Sequence, residues 1–159
     1  LNVRRQRQMC IRDSSGPEPQ RSILESKIVN LFRQLPSECA IIQGKPLSKN
    51  HKEHNIDFFA HLNTDKFLDT INNSEIILCR SGYSNVMDFS ALGKKVIFIP
   101  TPGQTEQEYL ANYHSEVSKV TSIRQSEISL EKINSNTGTV IQPMCDEGLM
   151  NLAFEKAML

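Results

Sequence analysis

The sequence carries no excess charge of either sign: 18 Lys and Arg balance 18 Asp and Glu. A neutral chain offers no basic surface of the kind that holds nucleic acid or an anionic membrane. No apolar run approaches the roughly 20 residues of a membrane-spanning helix. The longest runs, Ile76–Cys79 and residues 96–100, are strand-sized. None of the four cysteines (Cys10, Cys39, Cys79 and Cys145) forms a C-x-x-C pair, which argues against a zinc site or a redox dithiol. Cys39 and Cys79 sit in or beside apolar runs, as small hydrophobes of a reduced, cytoplasmic protein do. There is no D-x-D to hold a metal-bound diphosphate. No G-x-G-x-x-G follows any predicted strand, so the usual dinucleotide fingerprint is missing too.

The first 13 residues are poor in apolar side chains and hold Arg4, Arg5, Arg7 and Arg12. They lack the apolar stretch of roughly 7–15 residues that a secretory signal needs. The string VRRQRQMCIRD resembles translated adapter sequence from assembled reads. Residues 1–13 are therefore expected to be a non-native or disordered leader outside the fold, with a basic targeting arm as the alternative. Residues 14–159 are expected to form one domain, since the chain is long enough for one core and too short for two.

What the remainder does contain is alternation. Residues 20–35 place Ile23, Leu24, Ile28, Leu31, Phe32 and Leu35 at helical spacing, and Pro36 stops the helix. A short strand is predicted over 39–43 and another over 56–60, separated by a polar loop at 45–55. His51 and His54 in that loop have metal-like spacing but read as solvated side chains. Thr64 is expected to cap a helix that ends at Asn73. Ile76–Cys79 is apolar throughout rather than alternating, the mark of a strand covered on both faces. A helix over 83–92 closes on Gly93, and 96–99 is a further buried strand. Thr105 is expected to cap a helix from 106 to about 114. The tail is predicted as a strand within 117–123, a short helix at 130–133, a loop at 134–138 and a terminal helix at 146–158. It carries no readable motif. Strands alternating with helices give an α/β fold, a Rossmann-like parallel sheet flanked by helices.

In such sheets ligands bind beyond the carboxyl ends of the strands. Two of those ends stand out. At Cys79-Arg80-Ser81-Gly82-Tyr83-Ser84-Asn85, a buried strand runs through Ser-Gly straight into a helix. The first-turn N–H groups of that helix suit a diphosphate, and Ser81 and Ser84 add hydroxyls. Asp88, about two turns on, is placed to accept both hydroxyls of a ribose. The same Ser-Gly start also serves a purely structural helix. At Pro100-Thr101-Pro102-Gly103-Gln104-Thr105-Glu106-Gln107-Glu108, amides and carboxylates gather at a helix start. They suit sugar hydroxyls, which both donate and accept, although acids there also simply oppose the helix dipole.

Taken together, CRSGYSNVMDFSALGKKVIFIPTPGQTEQEYLANY over residues 79–113 resembles the donor-binding core of glycosyltransferase family 28. Residues 14–74 resemble the first half of the same C-terminal domain more loosely. The resemblance implies the C-terminal half of a two-domain GT-B glycosyltransferase, with the N-terminal acceptor-binding domain absent from this chain. The implied reaction moves a hexosyl group, of N-acetylglucosamine type, from a UDP-sugar to a hydroxyl acceptor. By position, the resemblance puts Arg80, Ser81, Gly82, Tyr83 and Ser84 on the diphosphate, together with Ser15 and Gly16 of the first loop. It puts Asp88 on the ribose, Leu62 on the base, and Gln104, Thr105, Glu106 and Gln107 on the sugar, with Gln107 the firmest. The first loop reads S-G-P-E-P-Q-R rather than a run of glycines, and the strand before it is expected to be missing. No cofactor or metal is expected beyond the UDP-sugar. The implied partner is an acceptor-binding domain or subunit, and the implied location is cytoplasmic, peripheral to the inner membrane face through that half. The general base is expected in the missing half; His61 and His114 are the only candidates here near strand or helix ends. Two alternatives remain open: a non-catalytic nucleotide-sugar-binding subunit of a split transferase, and a fragment of a UDP-N-acetylglucosamine epimerase.

Overall fold

Runs without a single polar side chain build the middle of the molecule. Cys39–Ile42 and Ile76–Cys79 are buried along their whole length, as strands covered on both faces must be. The computed structural model describes residues 9–12, 17–45, 48–136 and 138–141. Within them, eight strands form one sheet: β1 (Met9–Arg12), β2 (Cys39–Ile42), β3 (His51–Glu53), β4 (Ile56–Phe59), β5 (Ile76–Cys79), β6 (Lys95–Phe98), β7 (Thr121–Ser122) and β8 (Thr139–Val140). The helices are α1 (Gln20–Phe32), α2 (Thr64–Asn73), α3 (Tyr83–Ala91), α4 (Thr105–Val117) and α5 (Leu130–Asn134), with a 3-10 turn at Gln125–Glu127.

The strand order is β3-β4-β2-β1-β5-β6-β7, with β8 antiparallel on β6. Setting aside the hairpin strand β3, the parallel strands run third, second, first, fourth, fifth, sixth. This is the doubly wound order, and its direction reverses between β1 and β5. One face of the sheet packs on α1 and α5 through Leu24, Ile28, Phe32 and Ile133. The other packs on α2, α3 and α4 through Ile71, Val86, Phe89, Leu110 and Ala111.

The first correction concerns residues 1–13. Met9–Arg12 does not lie outside the fold but fills the centre of the sheet, parallel to both β2 and β5, with Cys10 fully buried. The strand expected to be missing is therefore present. Without it, β2 and β5 would face each other with unpaired backbone groups in the interior, a costly arrangement. Four residues that end in Arg12 and follow an arginine-rich stretch show no periodicity of their own, which is why the position was not apparent.

Smaller corrections share one cause: edge elements depend on neighbours rather than on their own pattern. The expected loop at 45–55 contains β3, which pairs back on β4 through His54 at φ 54°. The His51 ring, expected to be solvated, stacks on Phe58 with centroids 4.5 Å apart. Asn63, not Thr64, caps α2, its side chain accepting the Lys66 N–H at 3.0 Å. Gln104, not Thr105, occupies the cap position of α4. That helix runs on to Val117, which shortens the strand expected at 117–123 to β7. The turn at Gly93 has the expected left-handed geometry, φ 59°. The expected helix at 146–158 and Cys145 lie outside the described residues.

Candidate functional site

At the carboxyl ends of β2 and β4, the sheet and helices α2 and α3 enclose a cavity of about 560 Å³. Its apolar wall includes Ile42, Leu62, Phe67 and Leu92, and among the described residues its one carboxylate is Asp88. Local sequence explains both key positions. The Asn63 cap starts α2 directly after the turn from β4, which leaves Leu62 half-buried on the lip. On α3, Val86 and Phe89 face the core, so Asp88 between them is turned outward and exposed. An apolar slot with one carboxylate suits a flat heterocycle carrying a vicinal diol. Leu62 and Asp88, singled out separately in the sequence, thus line one cavity. Phe67, Leu92 and Gly44 were not singled out as ligand residues; the inward stripe of α2 was the only signal for Phe67.

Beside this cavity β5 leads into α3. Gly82 is the cap residue, with φ −71° and ψ 153°, so its backbone conformation does not require glycine. A Cβ placed there would meet nothing within 4 Å. The missing side chain therefore leaves open space in front of the helix start, and no side chain caps it. Tyr83 and Ser84 are exposed at this end. An uncapped start with positive dipole character and open space before it can receive an anion.

Three residues expected at the ligand are turned inward instead. Arg80 has no solvent exposure, and its guanidinium donates to the carbonyls of Ile99, at 3.0 Å, and Gln20, at 3.2 Å. A buried guanidinium needs such acceptors, and the residue after β6 and the first residue of α1 supply them. The Ser81 hydroxyl, also fully buried, donates to Gln107 O at 2.6 Å. Gln107 spends its side chain within its own loop. Oε1 accepts the Thr101 N–H at 2.9 Å, and Nε2 donates to Gln104 Oε1 at 2.5 Å. Asn85 closes the turn by donating to Arg80 O at 2.9 Å. The diphosphate-loop and sugar-loop motifs are thereby fastened to each other. Of the residues expected on the sugar, Thr105 and Glu106 are exposed and Gln104 is half-buried. Ser15 and Gly16 lie outside the described residues.

Residues 14–157 match the glycosyltransferase family 28 C-terminal domain. The chain belongs to this family. It is 26% identical over 136 residues to the UDP-N-acetylglucosamine--N-acetylmuramyl-(pentapeptide) pyrophosphoryl-undecaprenol N-acetylglucosamine transferase of Pasteurella multocida (strain Pm70), covering 81% of this chain and 37% of that protein. It is 34% identical over 123 residues to the same-named transferase of Histophilus somni (strain 129Pt), covering 70% of this chain and 34% of that one. The crystal structure of Acinetobacter baumannii MurG superposes with a TM-score of 0.58 at 15% identity, over 85% of this chain and 43% of that one. The fold is that of the Rossmann-like half of a GT-B glycosyltransferase. The chain spans about a third of the length of the curated relatives it matches.

In this family 28 domain, the two histidines considered as bases differ in setting. His114 is 1% exposed, edge-on to Phe98 and Tyr113, and burial holds its pKa below the usual value. It is a neutral core residue and out of reach of a ligand. His61 is exposed and lines the cavity that holds Leu62 and Asp88. Among the described residues, no group of three His, Cys, Asp or Glu is arranged to hold a metal, and no helix is long and apolar enough to cross a membrane.

Proposed function

We propose that this domain binds the nucleotide-sugar donor of a glycosyltransferase that moves a hexosyl group, of N-acetylglucosamine type, from a UDP-sugar to a hydroxyl acceptor. The observation that carries the reading is the shared cavity of Leu62 and Asp88 beside the open, uncapped start of α3. The uracil lies against Leu62 and Phe67, and the Asp88 carboxylate accepts the ribose hydroxyls. The diphosphate meets the N–H groups that follow Gly82. As the glycosidic bond breaks, that helix start stabilises the charge growing on the departing diphosphate. The sugar reaches Gln104, Thr105 and Glu106. Arg80, Ser81 and Gln107 hold these loops in place without touching the donor. The acceptor and the general base belong to an acceptor-binding domain or subunit, and the reaction takes place in the cytoplasm, with any membrane contact made through that partner.

Calorimetric titration of the chain with UDP, UDP-N-acetylglucosamine, GDP-mannose and NAD tests this. UDP compounds should bind in preference to the other two. Asp88→Ala should weaken UDP about tenfold or more, the worth of a charge-assisted hydrogen-bond pair. Equal affinity of the variant for UDP, or preference for GDP-mannose or NAD, would refute the assignment.

A further inference from the structure

The segment after β7 is tied to the start of α1. Ile123 anchors it: its N–H donates to Phe98 O at 2.8 Å, and its side chain packs into the core cluster that α1 covers. Lys27, on α1, donates to Gln125 O at 3.0 Å. The Gln125 side chain is only 4% exposed. Its amide nitrogen donates to Gln20 Oε1 at 2.8 Å and, more loosely, to Gln20 O at 3.5 Å. Arg80 donates to that same Gln20 carbonyl at 3.2 Å. Gln20, the first residue of α1, is thus gripped by two buried side chains that stand 60 and 105 residues further along the chain. Arg80 immediately precedes Ser81-Gly82, and its own carbonyl accepts from Asn85 of α3 at 2.9 Å. A polar path therefore runs from the tail through Gln20 and Arg80 to the start of α3.

We propose that Gln125 is a positioning residue for the diphosphate end of the donor site, acting through Gln20 and Arg80 to set where the start of α3 stands against the start of α1. The inference rests on the reading of the N–H groups after Gly82 as the diphosphate donors. Helix α3 has no side-chain cap at Gly82, so its start depends on contacts made by its neighbours. Ser81 is held by Gln107, and Arg80 by Ile99 and Gln20. An amide that donates to both the side chain and the carbonyl of Gln20 restrains that anchor point. A small displacement of the phosphate donors weakens their hydrogen bonds, which need close and aligned approach. The base and ribose meet Leu62, Phe67 and Asp88, none of which belongs to this path. Gln125 should therefore matter to the phosphates and not to the nucleoside.

The test compares UDP with uridine in NMR titrations of the full chain. The native chain should bind UDP more tightly than uridine. Gln125→Met should weaken UDP about threefold to tenfold and leave uridine within about twofold of the native affinity. Gln20→Met removes the partner and should act in the same way, and the double variant should lose no more than the larger single loss, because both break one contact. Asn55→Ala is the stability control, since it takes the donor from the carbonyls of Phe32, Leu35 and Ser37 at and beyond the end of α1. It should leave the UDP-to-uridine ratio unchanged. Equal losses of UDP and uridine in Gln125→Met, or a native ratio in that variant, would overturn the inference and leave the donor reading standing. So would the same change of ratio in Asn55→Ala, because loss of stability alone would then suffice. A native chain that binds UDP no better than uridine would remove the diphosphate assignment itself, and the inference with it.

Discussion

Arg80 and Asp88 belong to one strand-turn-helix unit, β5 to α3, and the fold treats their charges in opposite ways. Asp88 is exposed on the wall of the cavity, whereas Arg80 is sealed inside and donates to the carbonyls of Ile99 and Gln20. The same division runs through the neighbouring loop. Thr105 and Glu106 face outward, while Gln107 is buried and holds Thr101 and Gln104. The motif of the ligand edge is therefore two sets of residues interleaved. One set presents chemistry to a ligand, and the other fixes the loops that carry the first. On the proposed donor reading, the inner set acts without contact, by holding the donors of the outer set in position before charge develops.

Substitutions can separate the two sets. The largest effect on stability is expected from Arg80→Met, which keeps most of the volume but removes a donor from the buried Ile99 carbonyl and from the half-buried Gln20 carbonyl. Unfolding by denaturant should show a loss of about 3 kcal/mol. A loss below about 1 kcal/mol would mean that Arg80 is not structural. Gly82→Ala probes the outer set. Its methyl enters open space, so stability should fall by no more than about 1 kcal/mol, the cost of Ala at a helix cap. UDP affinity, measured on the same sample, should fall further than stability does, because the methyl occupies the approach of the diphosphate. Unchanged UDP affinity would remove Gly82 from the site.

The smallest effect is a dependence on pH. Burial lowers the pKa of His114, so the folded protein resists protonating it while the unfolded chain does not. Stability from this residue is complete above the unfolded pKa of about 6.5 and declines as pH falls from there toward the lowered folded value. The melting temperature should be lower at about pH 5.5 than at about pH 7.5, and His114→Leu should narrow the difference. The exposed pairs that lower the pKa of Glu18 and Glu127 act only in a more acidic range.

The comparison also explains what could be read in advance. The buried strands at 39–42 and 76–79, and the buried part of β6 at 96–98, announced themselves as apolar runs, and the helix between Gly82 and Gly93 by its punctuation. β1 did not, because four residues acquire their strand geometry from β2 and β5 on either side. β3, β7 and β8 are two or three residues long and are likewise defined by their partners. Leu62 and Asp88 were assigned from the family resemblance, and the fold places both on one cavity. The inward turn of Arg80, Ser81 and Gln107 was not legible. Polar residues of the same types serve both sets, and the choice rests on distant partners: the acceptor for Ser81 lies 26 residues further on.

The most direct measurement is a crystal structure of the chain with UDP. The account predicts the uracil against Leu62 and Phe67, the ribose hydroxyls on Asp88 and the diphosphate before the N–H groups that follow Gly82. UDP bound anywhere else, or bound there with Arg80 drawn out of the interior to meet the phosphates, would contradict it.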